Sequence, residues 1–264
     1  MKVAVTGASG FIGRTLCTTL SAAGHEVMPV RGPQVEGADA VVHLAAIAHR
    51  RASADELRKV NVALAVDVGR AAAAAGAPMV FLSSVKVHGE KSSAPFSEAS
   101  PIAPGDPYGE SKVRAEDSLR AIAGLRLAVL RPPLVYGPGV KANFLALMNA
   151  VARGLPLPLA SIRNRRSLIY VGNLADAILA CLGKEGTFLL SDGDPISTPQ
   201  LCREIGAALG RPARLLRFPT SLLPDKLAGS LELDDSHIRG TLGWKPPFTR
   251  EQGLRAAARW YQGR

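Results

Sequence analysis

Tyr108 and Lys112 stand four residues apart just behind Asp106-Pro107, and Ser84 closes the apolar run Met79 to Leu82. Four residues make about one helical turn, so on a helix the phenol and the ammonium share a face. An ammonium held near a phenol favours the phenolate and lowers the tyrosine pKa towards neutrality. Such a phenol can take or give the proton of a hydroxyl/carbonyl couple. A serine hydroxyl at a strand end can hold the same oxygen in line for hydride transfer. Alone, a Tyr–Lys pair is a common exposed feature of helices. It reads as catalytic when joined to a second pattern at the start of the chain. There Gly7, Gly10 and Gly13 follow the strand Lys2 to Val5 and lead into a helical pattern through Phe11, Ile12, Leu16 and Leu20. Gly7 can turn the chain with φ > 0, Gly10 lets a ligand approach bare backbone, and Gly13 lets the helix lie close to the sheet. The helix N-terminus offers free N–H groups and partial positive charge, which suits a pyrophosphate. A strand, Glu26 to Val30, follows as a βαβ dinucleotide unit requires.

The elements that must position these groups follow in order. Between Arg31 and Asp39 only nine residues separate the second strand from the apolar run Ala40 to Leu44. That is too short for a further helix and strand, so the sheet is expected to lack one outer strand beside strand two. Ser53 with Glu56 forms a capping pattern for a long helix that passes through Val60, Leu64 and Val68 and stops at Gly76-Ala-Pro78. Met79 to Leu82 is a buried strand. Asp106 caps and Pro107 opens the helix from Tyr108 to Ile122, and Arg126 to Arg131 is the next strand, closed by Pro132-Pro133. Beyond it Phe144 to Ala152 and Asn173 to Leu182 are helical, Leu168 to Val171 is extended, and Thr187 to Leu190 is a last sheet strand. Thr198 to Leu209 and Arg250 to Tyr261 read as surface helices. The expected fold is α/β, a Rossmann-type doubly wound parallel sheet with a smaller C-terminal substrate lobe. Residues 1–131 plus about 168–191 form the first unit, and 132–167 with 192–264 form the second.

Composition bounds the function. In 264 residues 47% are hydrophobic but only 5% aromatic, so alanine, leucine and valine must fill the core. No apolar run reaches the length of a membrane span, and the first strand starts directly at the N-terminus, leaving no room for a signal peptide. Cys17, Cys181 and Cys202 lack CxxC spacing and fit a reducing, cytoplasmic setting. His25, His49 and His237 show no ligand spacing, so no metal is expected, and His43 reads as packed near the cofactor loop. The formal net charge is +10, yet the arginines are scattered and no basic run is interleaved with aromatics; Arg163, Arg165 and Arg166 form the only tight cluster. Neither a nucleic-acid nor a membrane partner is expected; attraction to an anionic small substrate accounts for the charge.

Thr6 to Gly13 (TGASGFIG), Val41 to Ala46 (VVHLAA), Phe81 to Ser84 (FLSS) and Tyr108-Gly-Glu-Ser-Lys112 together resemble the extended short-chain dehydrogenase/reductase family, in its NAD-dependent epimerase/dehydratase branch. The resemblance covers nearly the whole chain. It implies a small lobe that grips a nucleotide-diphosphate sugar, and hydride exchange between that sugar and a nicotinamide. By it Ser84, Tyr108 and Lys112 are catalytic, and Lys112 also bonds the nicotinamide ribose. It adds Ser9, Phe11, Ile12, Leu44, Ala45 and Ala46 to the cofactor cleft and places Pro132 beside the nicotinamide. Asn143 matches a diphosphate contact and Arg166 a phosphate-binding arginine, a role that a guanidinium fork suits. Lys86 and His88 fall on the sugar side, where loop packing is an equal reading for His88. A homodimer through the Tyr108 helix and the long helix before it is a family expectation.

Departures from the pattern narrow the chemistry. NAD users end the second strand in an acid that binds the ribose 2′-hydroxyl; here the place holds Arg31, and Arg14 is a second cation. This favours NADP(H) over NAD(H), although Asp39 is near enough in sequence to serve the adenine side. The family's dehydratases place an Asp-Glu pair beside the catalytic Ser or Thr, where this chain has Val85 and Lys86, so dehydration lacks its acid and base. Ser83 to Glu90 (SSVKVHGE) further resembles enzymes of surface-polysaccharide sugar synthesis, including 4-ketoreductases. The sequence therefore leans to an NADP(H)-dependent 4-ketoreductase. A UDP-sugar 4-epimerase with tightly bound NAD and a non-catalytic NADP-sensing module stay open. The chain is shorter than family relatives usually are, which implies a reduced or open substrate lobe.

Overall fold

A computed structural model describes residues 1–48, 52–223 and 225–264; His49 lies outside the described residues. The first half alternates as the sequence expects: β1 (Lys2–Thr6), α1 (Phe11–Ala22), β2 (Glu26–Val30), β3 (Ala40–His43), α2 (Ala54–Leu57), α3 (Leu64–Ala74), β4 (Met79–Leu82), α4 (Pro107–Arg120) and β5 (Leu127–Arg131). Then come β6 (Leu134–Tyr136), α5 (Ala142–Ala152), β7 (Leu168–Tyr170), α6 (Val171–Ala180) and β8 (Gly186–Leu189). Among the described residues four α-helices follow: α7 (Thr198–Leu209), α8 (Asp225–Ala228), α9 (Ser236–Leu242) and α10 (Arg250–Gln262).

Six strands make one parallel sheet in the order β2-β1-β3-β4-β5-β8. The chain turns one way from β1 to β2 and the other way to β3, so the switch point lies between β1 and β3, where open α/β sheets bind ligands. β2 is an edge, as the short connection to β3 requires. Pro29 sits in it, opposite Val5, and a proline is tolerated on an edge strand because one side needs no ladder N–H. Strand side chains alternate between two apolar layers. Val3, Val5, Val42, Val80, Leu82 and Leu130 pack towards α1 and α6, while Ala4, Val41, Phe81 and Val129 pack towards α3 and α4. Burial on both faces explains why these strands read as unbroken apolar runs.

A third core, built on Tyr136, Phe144, Met148, Ile162, Leu201 and Ile205, fills the C-terminal lobe. β6 and β7 pair in parallel as a separate two-stranded sheet. The Tyr136 hydroxyl donates to Asp192 at 2.7 Å, and Asp192 also accepts from Asn173 at 2.7 Å. Ile238 and Trp244 pack with β1 and α6. Among the described residues no helix is long and apolar enough to cross a membrane.

The long helix expected from Ser53 to Gly76 is interrupted. Ser53 and Glu56 form the capping box, but Arg58–Ala63 adopts a π-helical turn before α3 begins. Its cause is Asn61, which is buried and turned inward. Its side chain accepts from Ile47 N–H at 2.7 Å, donates to Ile47 carbonyl at 3.1 Å and donates to Ser111 Oγ at 2.9 Å. A polar side chain satisfied on both sides repays a local break in the helical ladder, and such bulges gather at functional sites.

Candidate active site

The glycine turn is built as the spacing requires. Gly7 has φ +71°, and a Cβ there would lie 3.0 Å from Ala45 N. Gly10 N–H donates to Gly7 carbonyl at 2.9 Å, closing the turn at the head of α1. A Cβ on Gly13 would meet Gly7 carbonyl at 2.2 Å, so only glycine admits this helix–turn contact. Ser9 is exposed and Phe11 and Ile12 are half-buried at the mouth of the turn. On the other side of the switch point Thr6 Oγ1 accepts from Leu44 N–H at 3.2 Å and Ala45 N–H at 3.3 Å. Thr6 must then donate to His43 Nδ1, 2.9 Å away, which leaves the imidazole proton on Nε2. Burial and the nearby Lys112 charge push His43 down to about 3, so it stays neutral, and its buried Nε2 has no partner among the described residues. The bare backbone at Gly7–Gly13 and the free N–H groups of α1 form a cradle that fits a dinucleotide pyrophosphate, with Leu44, Ala45 and Ala46 as the facing wall.

Asp106 caps α4 by accepting from Gly109 N–H at 2.7 Å, and Pro107 opens the first turn, which fixes Tyr108 at the helix start. A Cβ on Gly109 would fall 2.7 Å from Lys86 carbonyl, so the loop after β4 lies hard against that turn. Ser84 begins this loop, its hydroxyl accepting from Lys86 N–H at 3.3 Å and lying near enough to Tyr108 to favour its ionised form. Pro132 is buried at the end of β5, its carbonyl accepting from Val85 N–H at 3.0 Å. Lys112 is buried beneath: its ammonium donates to Leu82 carbonyl at 2.8 Å and lies 4.7 Å from the Phe81 ring centre and 5.9 Å from that of Tyr108. The three groups therefore converge where β4 ends.

Their charges differ from the expectation based on spacing. Burial pushes Tyr108 up to about 12 against the opposing influence of Ser84, rather than down towards neutrality. Lys112 acts weakly on it because its ammonium is held by Leu82 and is itself lowered to about 7 by burial, with Glu116 opposing. The lysine shift carries a pH signature. Between about pH 7 and pH 10 the unfolded chain holds a proton that the folded chain has released, so stability rises with pH across that window. Melting temperature is expected to rise by roughly 5 °C more across this window in the wild type than in Lys112→Met, measured by calorimetry.

Beneath the site lies a buried carboxylate that the sequence analysis missed. Glu116, four residues after Lys112, accepts from Arg131 Nε at 3.0 Å and Nη2 at 2.5 Å, from Ser83 Oγ at 2.5 Å, and from Arg120 at 2.9 Å. These donors hold its pKa below the ordinary carboxylate range against the opposing effect of burial. The signal was present in the i, i+4 spacing of Lys112 and Glu116 on one helix face. Asn61 was missed for the same reason, as a polar residue on an inward face.

Other expected residues fall as follows. The Lys86 ammonium pairs with Asp106 and, at 3.2 Å, with Glu90. His88 is buried, stacked on Phe96, with Nδ1 against Pro101 carbonyl at 3.1 Å and Nε2 accepting from Arg131 at 3.0 Å. Both ring nitrogens are thus spent on the protein, which is the loop-packing reading. Arg166 is half-buried and donates to Gly229 carbonyl at 2.9 Å, within electrostatic reach of Glu90. Asn143 is exposed in the first turn of α5, next to Ala142, whose φ of +52° is left-handed. Arg14 and Arg31 are exposed, Arg31 directly after β2. Asp39 does not serve the adenine side: it accepts from Lys2 N–H at 2.7 Å, at the N-terminal edge of the sheet, opposite to the glycine turn. No group of histidine, cysteine and carboxylate residues suited to a metal occurs among the described residues.

A parallel sheet with a glycine turn at its switch point and a Ser–Tyr–Lys set beyond β4 defines an oxidoreductase of the short-chain dehydrogenase/reductase type. The description "NAD dependent epimerase/dehydratase family" matches residues 31–187. A UDP-glucose 4-epimerase of Vibrio cholerae is 37% identical over 97% of this chain and 94% of its own length. The chain belongs to the NAD-dependent epimerase/dehydratase family. Solved structures share the fold. The UDP-N-acetylglucosamine 4-epimerase of Bacillus cereus superposes with a TM-score of 0.85 at 21% identity over 98% of both chains. The UDP-glucuronic acid 4-epimerase of Bacillus cereus in complex with NAD gives 0.84 at 19% identity, over 100% of this chain and 99% of that one.

Proposed function

We propose that the protein is a 4-epimerase of a UDP-linked sugar working with tightly held NAD. The observation that carries this reading is the single acid–base set at the end of β4. Ser84, Tyr108 and Lys112 converge there, while the neighbouring positions hold Val85 and a Lys86 committed to Asp106 and Glu90. Nothing beside Ser84 is suited to expel a hydroxyl as water, but one phenol and one hydroxyl suffice to oxidise and re-reduce a secondary alcohol. Likeness to the Vibrio cholerae 4-epimerase along almost the full length of both chains supports the same choice. It moves the balance away from the ketoreductase to which the sequence alone leaned.

In this reading Gly7, Ser9 to Gly13 and the wall Leu44 to Ala46 hold the dinucleotide, and Lys112 holds its nicotinamide ribose. NAD bound there supplies the hydride acceptor for the alcohol and, once reduced, the donor for the ketone. Burial keeps the Tyr108 phenol protonated in the unliganded protein; beside a bound, positively charged nicotinamide its phenolate is favoured, receives the proton of the sugar hydroxyl and returns it to the new alcohol. Ser84 keeps that oxygen in line. Arg166 and Asn143 face the diphosphate, with Arg166 supplying the charge. A homodimer through α3 and α4 belongs to the same reading.

One feature favours a second reading. Arg31 follows β2 and Arg14 lies in the first turn of α1, with no carboxylate at the end of β2, an arrangement that suits a 2′-phosphate and a reductase using NADPH. Cofactor content separates the two. On acid denaturation the purified protein is expected to release NAD in near-stoichiometric amount and to interconvert UDP-glucose and UDP-galactose without added cofactor. A protein that releases none, and that consumes NADPH only with a 4-keto sugar, would reverse the choice.

A further inference from the structure

The C-terminal lobe presents a surface built from residues other than those assigned above to the dinucleotide and the diphosphate. No aspartate or glutamate occurs between Asp117 and Asp176, nor between Glu204 and Asp225. Two stretches inside these acid-free intervals are zipped together by backbone bonds. Leu157 N–H donates to Arg214 carbonyl at 2.8 Å, Leu216 N–H to Leu157 carbonyl at 2.8 Å, and Ala160 N–H to Leu216 carbonyl at 3.0 Å. Phe218 N–H donates to Ser161 Oγ at 3.2 Å. The pairing brings Ser161 to Arg217 and Phe218, and Arg163, Arg214 and Arg217 are all exposed along the two stretches. Among the described residues nine large hydrophobic side chains are exposed, and four of them, Leu216, Phe218, Leu222 and Leu227, fall within one short segment. Leu222 is 69% exposed. Arg163 and Arg217 have no carboxylate partner among the described residues, and Arg214 reaches only Gly154 carbonyl, at 3.4 Å.

Uncovered aliphatic side chains grouped with unpaired cations mark a contact surface rather than ordinary exposure. Nucleic acid fits it poorly, because single strands bind by stacking on aromatic rings and the patch offers one ring among four apolar groups. A lipid surface uses both parts: leucine and phenylalanine enter the boundary between headgroups and acyl chains, and arginines meet the phosphates. The net charge of +10 adds long-range attraction of the same sign. We propose that this face docks the protein peripherally on an anionic bilayer, with Leu216, Phe218 and Leu222 at the interface and Arg163, Arg214 and Arg217 at the headgroups. No single stretch of the sequence announces it, because separate segments build the patch. The inference is independent of which sugar reaction the protein performs.

Co-sedimentation of the full chain with vesicles tests it. The protein is expected to bind phosphatidylglycerol-containing vesicles and not pure phosphatidylcholine vesicles, with binding that weakens as salt is raised. Arg214→Gln/Arg217→Gln should lower partitioning about 30-fold, the effect of two cations at a charged membrane surface. Phe218→Ser/Leu222→Ser should lower it about tenfold even at low salt, with thermal melting matching the wild type. Equal binding to both vesicle types, binding to neither, or unchanged partitioning of both variants would overturn the proposal. So would tighter binding to a single-stranded oligonucleotide, or a dimer that the substitutions dissociate in a protein without vesicle affinity.

Discussion

Tyr108→Phe is expected to lower kcat for UDP-sugar epimerisation roughly 10³-fold while leaving the fold and the bound dinucleotide in place. A positioned proton-transfer group contributes about 10²–10⁴-fold. The phenol is influenced by the Ser84 hydroxyl at the end of β4. The substitution removes an oxygen and little else. Phenylalanine keeps the ring at the first turn of α4, the Lys112 ammonium still donates to Leu82 carbonyl, and Ser84 Oγ still accepts from Lys86 N–H at 3.3 Å. Cofactor content after denaturation should therefore match the wild type, and KM should change by no more than about threefold, as expected for a group that acts on the transition state. Turnover at saturating sugar is the deciding measurement. A variant that retains turnover within a factor of about five, with full cofactor content, would remove Tyr108 from the chemistry.

Residues whose local rules are strong were legible in the sequence. Gly7 needs a positive φ and Gly13 needs room for Gly7 carbonyl, and both needs restrict the choice to glycine, so the turn could be read from three letters. The caps at Ser53 and Asp106 were legible because a side-chain oxygen three residues before a helical N–H satisfies it locally. The missing outer strand was legible from chain length, and Pro29 on β2 agrees with it. Residues whose role depends on distant partners were not. Asn61 is one polar letter in an apolar helix until Ile47 and Ser111 are brought to it, and the π-turn follows from those partners. Asp39 looked close to the adenine side because sequence proximity does not tell which end of a strand a loop serves. The sign of the tyrosine shift was misjudged because spacing places the lysine on the same face but says nothing of how deeply either group is buried. The leaning to NADP(H) rested on Arg31 after β2, on Arg14 after the glycine turn and on the lack of an acid there; both arginines are exposed, and the family that the chain matches is described as NAD dependent.

Glu116→Ala is expected to destabilise the protein by about 3–5 kcal/mol, the cost of leaving one partner of a buried ion pair uncompensated. Glu116 is 1% exposed and Arg131 4%, so water does not replace the lost carboxylate. The guanidinium would keep only His88 Nε2 as a side-chain acceptor, and the Ser83 hydroxyl would lose its acceptor. Acid reveals the same interaction from the other side. The folded-state pKa of Glu116 is depressed, so its contribution is complete above the ordinary carboxylate value and is lost as pH falls through the folded value. The stability gap between wild type and variant, measured by urea unfolding, should be widest near neutrality and shrink below about pH 4. Glu116 also supports the charge of Lys112, one turn earlier on α4. Its removal should extend the lysine-dependent rise of stability to pH values below 7. Glu116→Gln should fall between the two, since an amide oxygen still accepts from Arg131 but carries no charge. A loss under about 1 kcal/mol in Glu116→Ala, with the pH profile unchanged, would mean that Arg131 finds another partner and that the pair is dispensable to the fold. Ser83, bonded to Glu116, adjoins Ser84, and Glu116 lies one turn from Lys112, so the same bonds that hold β4, β5 and α4 together set the distance across which the proposed catalytic groups meet.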